Sequence, residues 1–336
     1  MSSSSSSPAP PHVVEDCLGI VQLLSDGTVT RSGDYSSISL MRDVPIDLPV
    51  QWKDVVYDAG RGLRLRMYAP ANHGGEEGKL PVLVYFHGGG FCIASFELPN
   101  FHAGALRLAG ELPAVVLSAD YRLAPEHRLP AAYEDAVAVF SWLRGQAAAA
   151  AADPWLAASA DFERVFVCGD SCGGNIAHHL TVGCGSGDIA LDAARLSGCV
   201  MLWPYFGGEE RMPSEAPPPP PEGDASPSAM AITLFDQMWR LALPAGATRD
   251  HPAAHPFGPE GPPLAGVAFP PVLIVDPELD VLSDRVADYA ARLEAMGKRV
   301  ELGKFEGQGH GCFVLDPMSE ASGELVRVVR RFVHAG

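Results

Sequence analysis

Val165-Phe166-Val167-Cys168-Gly169-Asp170-Ser171-Cys172-Gly173-Gly174-Asn175 is the stretch on which the fold turns. Its first four residues are apolar and rich in β-formers, which predicts a strand over Val165–Cys168. From Gly174 onward, GNIAHHLTV reads as a helix. Between them stands a serine with a glycine two places away on either side. A serine on so sharp a strand-to-helix turn has a strained backbone, and side chains at the two glycine positions would collide. The turn lifts the hydroxyl above the sheet, where the helix N-terminus favours developing negative charge. In a chain with 35 glycines the pentapeptide G-x-S-x-G alone is a weak signal; its strand and helix flanks strengthen it.

On either side of this stretch the chain alternates short apolar strands with helices. Upstream, Pro81–Phe86 is a continuous apolar run, as in a strand buried on both faces, followed by a helix near Asn100–Gly110 and a strand at Ala114–Ala119. A further helix is expected near Ala131–Arg144. Downstream come strands at Leu196–Leu202, Val272–Val275 and Val300–Phe305, with helices at Ser283–Met296 and Glu320–His334. This alternation predicts an α/β fold with a mostly parallel central sheet covered by helices on both faces. Lys53–Asp58 and Leu63–Tyr68 read as a hairpin ahead of it.

Val13–Leu24 shows apolar residues at helical spacing and predicts a short amphipathic helix, serving either as a cap over a cleft or as core filler. Pro204–Pro263 is long and proline-dense, includes the run Pro217–Pro221, and has one helical island at Met230–Leu241; such a span fits a cap or lid better than a plain connection. The alanine run Ala147–Ala152 closes a helix. Residues 1–12 read as a disordered tail and 13–336 as a single domain, with lid contributions from about 13–50 and 204–263.

The strand Pro81–Phe86 runs directly into His87-Gly88-Gly89-Gly90-Phe91. Glycines let backbone N–H groups converge on one point, as an oxyanion requires, and the N–H of Cys172 can join them. A serine hydroxyl is a poor nucleophile without a base. His310, in Gly309-His310-Gly311 beyond the last strand, is placed by chain order to supply one. The acid that orients such a base belongs just past Val272–Val275, where Asp276, Glu278, Asp280 and Asp284 all occur.

With 41 acidic against 24 basic residues the net charge is -17, which argues against nucleic-acid and anionic membrane-surface partners. The 47% hydrophobic content is ample for a large core. Seven cysteines are scattered without paired metal spacing, so no metal or cofactor is expected, and a reducing compartment is. The start, Ser- and Pro-rich with no basic or apolar run, does not read as a secretory signal, and the expectation is cytoplasm or nucleus.

HGGGF, Asp120-Tyr121-Arg122-Leu123-Ala124-Pro125-Glu126, GDSCGGN and the pair Asp280…His310 together resemble the hormone-sensitive-lipase branch of the α/β-hydrolase superfamily, and most closely the plant carboxylesterases, over roughly residues 13–334. Glu15-Asp16-Cys17-Leu18-Gly19, Phe206-Gly207-Gly208-Glu209-Glu210-Arg211 and Gly246-Ala247-Thr248-Arg249-Asp250 further resemble the carboxylesterase-15 subgroup, whose members hydrolyse strigolactones. The resemblance implies an α/β-hydrolase fold, an N-terminal lid, Ser171 as nucleophile, His310 as base, Asp280 as acid, and Gly88, Gly89 and Cys172 as oxyanion donors.

Two positions depart from the pattern. Pro277-Glu278-Leu279 stands where Gly-Gly usually precedes the acid, which keeps Glu278 as an alternative, and Cys172 stands where the residue after the serine is usually alanine or serine. The implied activity is hydrolysis of a small hydrophobic ester or lactone, strigolactones included. The same plant family contains gibberellin receptors that keep the fold but replace the catalytic histidine with an apolar residue; retention of His310 speaks for an enzyme. A thiol enzyme built on Cys172 or Cys168 would need a nearby base and a lowered pKa, neither of which the sequence shows.

Overall fold

The computed structural model describes residues 10–38, 40–41, 44–71, 78–148, 153–216 and 227–335. Residues 1–9 of the expected tail, the end of the alanine run (149–152) and the prolines 217–221 lie outside the described residues.

The chain opens not with a helix but with three short antiparallel strands, β1 (Val13–Cys17), β2 (Val21–Leu24) and β3 (Val29–Arg31). The expected helix over Val13–Leu24 is corrected by the turn inside it. Leu18 and Gly19 both have positive φ, Ile20 N–H donates to Cys17 O at 3.0 Å, and Asp16 Oδ1 accepts the Gly19 N–H. Two consecutive positive φ values close a tight hairpin and stop a helix, and Val13, Val14 and Val21 suit strands.

The main sheet follows, with eight strands: β4 (Val50–Asp58), β5 (Leu63–Pro70), β6 (Leu80–Phe86), β7 (Val115–Ala119), β8 (Ala160–Asp170), β9 (Leu196–Leu202), β10 (Val272–Pro277) and β11 (Val300–Phe305). Their order is β11-β10-β9-β8-β6-β7-β5-β4. β5 runs antiparallel to both neighbours, and every other adjacent pair is parallel.

Alternation along β6 shows how the sheet makes two cores. Val82, Val84 and Phe86 face one side, while Leu83 and Tyr85 face the other. The first side is covered by α2 (Ala131–Ala148), α4 (Cys172–Ser186) and α6 (Ser283–Ala295), through residues such as Phe140, Leu180 and Leu293. The second is covered by α1 (Pro99–Glu111) and α8 (Glu320–His334), through Leu108, Leu325 and Val329. Short helices α3 (Pro154–Ser159) and α7 (Cys312–Leu315) complete the connections.

The helical island in the long span is α5 (Pro227–Ala242). It sits against the N-terminal hairpin: Glu15 accepts from Arg240 at 2.6 and 3.0 Å and from Gln237 at 3.0 Å. The hairpin sheet is tied in turn to the glycine loop and its neighbour, because Arg31 donates to the carbonyls of Cys92 and Ala124 and pairs with Glu126. Cys17, Ile20 and Val21 join Met238 and Trp239 in the same apolar cluster as the sheet, so these segments extend the main core.

Candidate active site

Four parallel strands deliver the chemistry at their C-terminal ends, the edge where ligands of open α/β sheets bind. β6 runs into His87, β8 into Ser171, β10 toward Asp280 and β11 toward His310. A cleft of about 800 Å³ lies at the opposite end, lined by Arg164, Leu196, Val272 and Val300 of β8 to β11, and has no part in this constellation.

Ser171 has φ 54° and ψ −119°, a left-handed backbone that the surroundings must hold. Its N–H donates to Leu202 O at 2.9 Å, and its carbonyl accepts from Asn175 at 3.2 Å and Tyr205 at 2.9 Å. A Cβ on Gly169 would run into the Gly173 backbone, and one on Gly173 into the Phe86 carbonyl, so the flanking glycines are required by close approach of strand, turn and helix. Ser171 is 6% exposed.

The His310 ring bridges Ser171 and Asp280. Nε2 lies 2.9 Å from Ser171 Oγ, and Nδ1 lies 2.7 Å from Asp280 Oδ2. A carboxylate only accepts, so Nδ1 carries the proton and Nε2 is left to accept from the serine hydroxyl. Asp280 is 3% exposed, and its other oxygen accepts the Leu282 N–H at 3.0 Å. The Phe235 ring of α5 stands edge-on to His310 with centroids 4.8 Å apart.

The other carboxylates near β10 go elsewhere. Glu278 is exposed and accepts the Gly307 N–H at 2.8 Å, while its own N–H and that of Leu279 donate to Phe305 O and Gln308 O. The stretch Pro277-Glu278-Leu279 thus fastens the loop that carries His310. Asp284 accepts from Ser214 N–H at 2.7 Å. Asp276 is buried with Lys304 at 4.0 Å, and burial pushes its pKa up.

The glycine loop corrects one expected donor. Gly88 N–H donates to Asp170 Oδ1 at 2.9 Å, an oxygen that also accepts from Tyr85 OH at 2.6 Å. A donor so engaged is not free for substrate. Gly89, with φ +113°, and Cys172, the first residue of α4, make no N–H hydrogen bond among the described residues. Gly90 follows with φ +58°, where a side chain would collide with Met238. Asp170, its pKa raised by burial, is a site residue that motif reading passed over as a variable position; its signal was an acid next to the serine in an otherwise apolar turn.

All seven cysteines are free thiols. Among the described residues no cluster of three or more His, Cys, Asp or Glu side chains is arranged to hold a metal ion, and no helix is long and apolar enough to cross a membrane.

Residues 83–314 match the family model described as alpha/beta hydrolase fold. The chain is 33% identical over 332 residues to tuliposide A-converting enzyme 1, chloroplastic, of Tulipa gesneriana, covering 97% of this chain and 80% of that one. It is 33% identical over 327 residues to probable carboxylesterase 6 of Arabidopsis thaliana, covering 96% and 92%. Among solved structures it is similar to a Pyrobaculum calidifontis esterase, with a TM-score of 0.68, 28% identity and 85% of each chain covered.

Proposed function

The chain belongs to the α/β-hydrolase family, among the plant carboxylesterases, and from that premise of carboxylic ester hydrolysis we propose that Ser171 is the nucleophile, His310 the general base and Asp280 the acid that orients it. The observation that carries this reading is the His310 ring held between Ser171 Oγ at 2.9 Å and Asp280 Oδ2 at 2.7 Å.

In the forward step Ser171 Oγ attacks the ester carbonyl carbon as its proton passes to His310 Nε2. The carbonyl π pair moves onto oxygen, and that oxyanion accepts from the N–H groups of Gly89 and Cys172. Collapse breaks the bond to the leaving alcohol, which takes the proton from His310. Water then enters, gives a proton to His310, adds to the acyl carbon and releases the acid, and Ser171 recovers its proton. Asp280 keeps Nδ1–H directed throughout and stabilises the imidazolium.

The proposed substrates are small hydrophobic esters or lactones. The lid is proposed to come from 13–50 and 204–263, on the support of the direct contacts between the N-terminal hairpin and α5 through Glu15, Gln237 and Arg240. Strigolactones are included on the subgroup resemblance, and tuliposide A, named for the tulip relatives, is a second candidate. A receptor without catalysis is disfavoured by a histidine that is both present and bonded to Ser171.

Release of nitrophenolate from a short-chain nitrophenyl ester tests the proposal. Wild type is expected to hydrolyse it and Ser171→Ala to lose the activity by several orders of magnitude; equal rates in both would end the esterase reading. Mass spectrometry for an acyl adduct on Ser171 after exposure to each candidate lactone then selects the substrate.

A further inference from the structure

We infer that the Cys172 side chain positions the oxyanion loop, so that the residue after the nucleophile serves the site through its sulfur as well as through its N–H. This deepens the esterase reading and rests on it. Cys172 is fully buried beneath the loop, and its Sγ accepts the Phe91 N–H at 3.1 Å. Tyr121 stacks on His87, with centroids 4.5 Å apart and planes 16° off parallel, and donates its hydroxyl hydrogen to His87 O at 2.7 Å. With that hydrogen committed, Tyr121 Oη is an acceptor for the thiol S–H at 3.4 Å, and His87 O is a second acceptor at 3.8 Å.

The sulfur therefore bonds to both ends of His87–Phe91. Between those ends lie three glycines, which have no side chains of their own to hold them and whose backbone is the freest of any residue. Asp170 pins the first of them through the Gly88 N–H, and at the far end Cys172 takes the Phe91 N–H while the Phe91 carbonyl accepts from the Ala124 N–H at 2.9 Å. An alanine at 172 would keep the backbone donor and remove this anchor. The thiol itself is chemically quiet, since burial pushes its pKa up to about 12. Its contribution is geometric.

The test compares full-length wild type, Cys172→Ala, Cys172→Ser and Tyr121→Phe in kcat and KM for a nitrophenyl ester, and in hydrogen–deuterium exchange at the Phe91 amide. A misplaced donor loses transition-state stabilisation, so Cys172→Ala is expected to lower kcat about 10- to 100-fold with KM within about twofold, and to speed exchange at Phe91. Serine offers the same donor and acceptor and is expected to restore most of kcat and the protection of Phe91. The inference is overturned if Cys172→Ala keeps kcat within about twofold of wild type, if its loss falls in KM alone, or if serine is no better than alanine. Should Cys172→Ala not fold, Tyr121→Phe decides: a fall in kcat at constant KM supports the inference and an unchanged kcat overturns it. A wild type with no esterase activity would sink the esterase reading, while the exchange comparison would still decide whether the sulfur holds the loop.

Discussion

Glu278 and Asp280 are both carboxylates just past β10, and their surroundings set them to different tasks. Asp280 is buried against His310 Nδ1; Glu278 is exposed and clasps the Gly307 N–H. Asp280→Asn leaves the shape but presents an amide that favours the wrong imidazole tautomer, so kcat is expected to fall by about 10³–10⁴. Glu278→Gln retains an acceptor for Gly307, so its loss is expected to stay below about tenfold, in line with one exposed hydrogen bond. Steady-state kinetics on the two variants checks this, and a larger loss in Glu278→Gln would reverse the assignment. Residue identities near β10 narrowed the acid to four candidates; the choice among them depends on which carboxylate the turn points inward, and that turn is set by backbone bonds to a loop some thirty residues on. Gly88 makes the same point. Its N–H is consumed by Asp170, 82 residues away, a partner that no local pattern displays.

Among the elements, strands buried on both faces and their covering helices were readable because continuous apolar runs and helical spacing have few alternatives at that length. Val13–Leu24 was not, because apolar residues at 13, 14, 17, 18 and 21 satisfy a helical period while Leu18-Gly19 closes a hairpin instead. Turn chemistry overrode period. Within α4, whose start carries the nucleophile turn, His178 is buried and its Nδ1 meets Tyr289 OH at 2.6 Å. Burial lowers its pKa from 6.5 to about 3, so it is neutral in the folded chain. A depressed pKa contributes stability above the unfolded value, and that contribution drains away as pH falls through 6.5 toward 3 because the unfolded chain takes up the proton first. The melting temperature of wild type is therefore expected to fall more steeply between pH 6.5 and about 4 than that of His178→Gln. Thermal melts across that window read the difference directly, and parallel slopes would contradict it.

For the whole molecule, topology explains why residues at 87, 171, 280 and 310 meet. Parallel strands with helical crossovers bring their C-terminal ends to one edge, and the chain order serine, acid, histidine follows the strand order β8, β9, β10, β11 outward from the centre. That much follows from alternation alone. What the pattern left hidden is that the N-terminal hairpin and α5 share the sheet's own core and are latched together by Glu15 and Arg240, contacts between positions 225 residues apart. Catalysis by this assembly depends on Ser171 being its activated alcohol. Reaction with a fluorophosphonate, followed by intact-mass and peptide mass spectrometry, measures that property with the fewest intermediaries. One covalent adduct per chain, on Ser171, abolished in Ser171→Ala and strongly slowed in a His310→Ala variant, is expected; labelling that ignores Ser171, or proceeds as fast without His310, would contradict it.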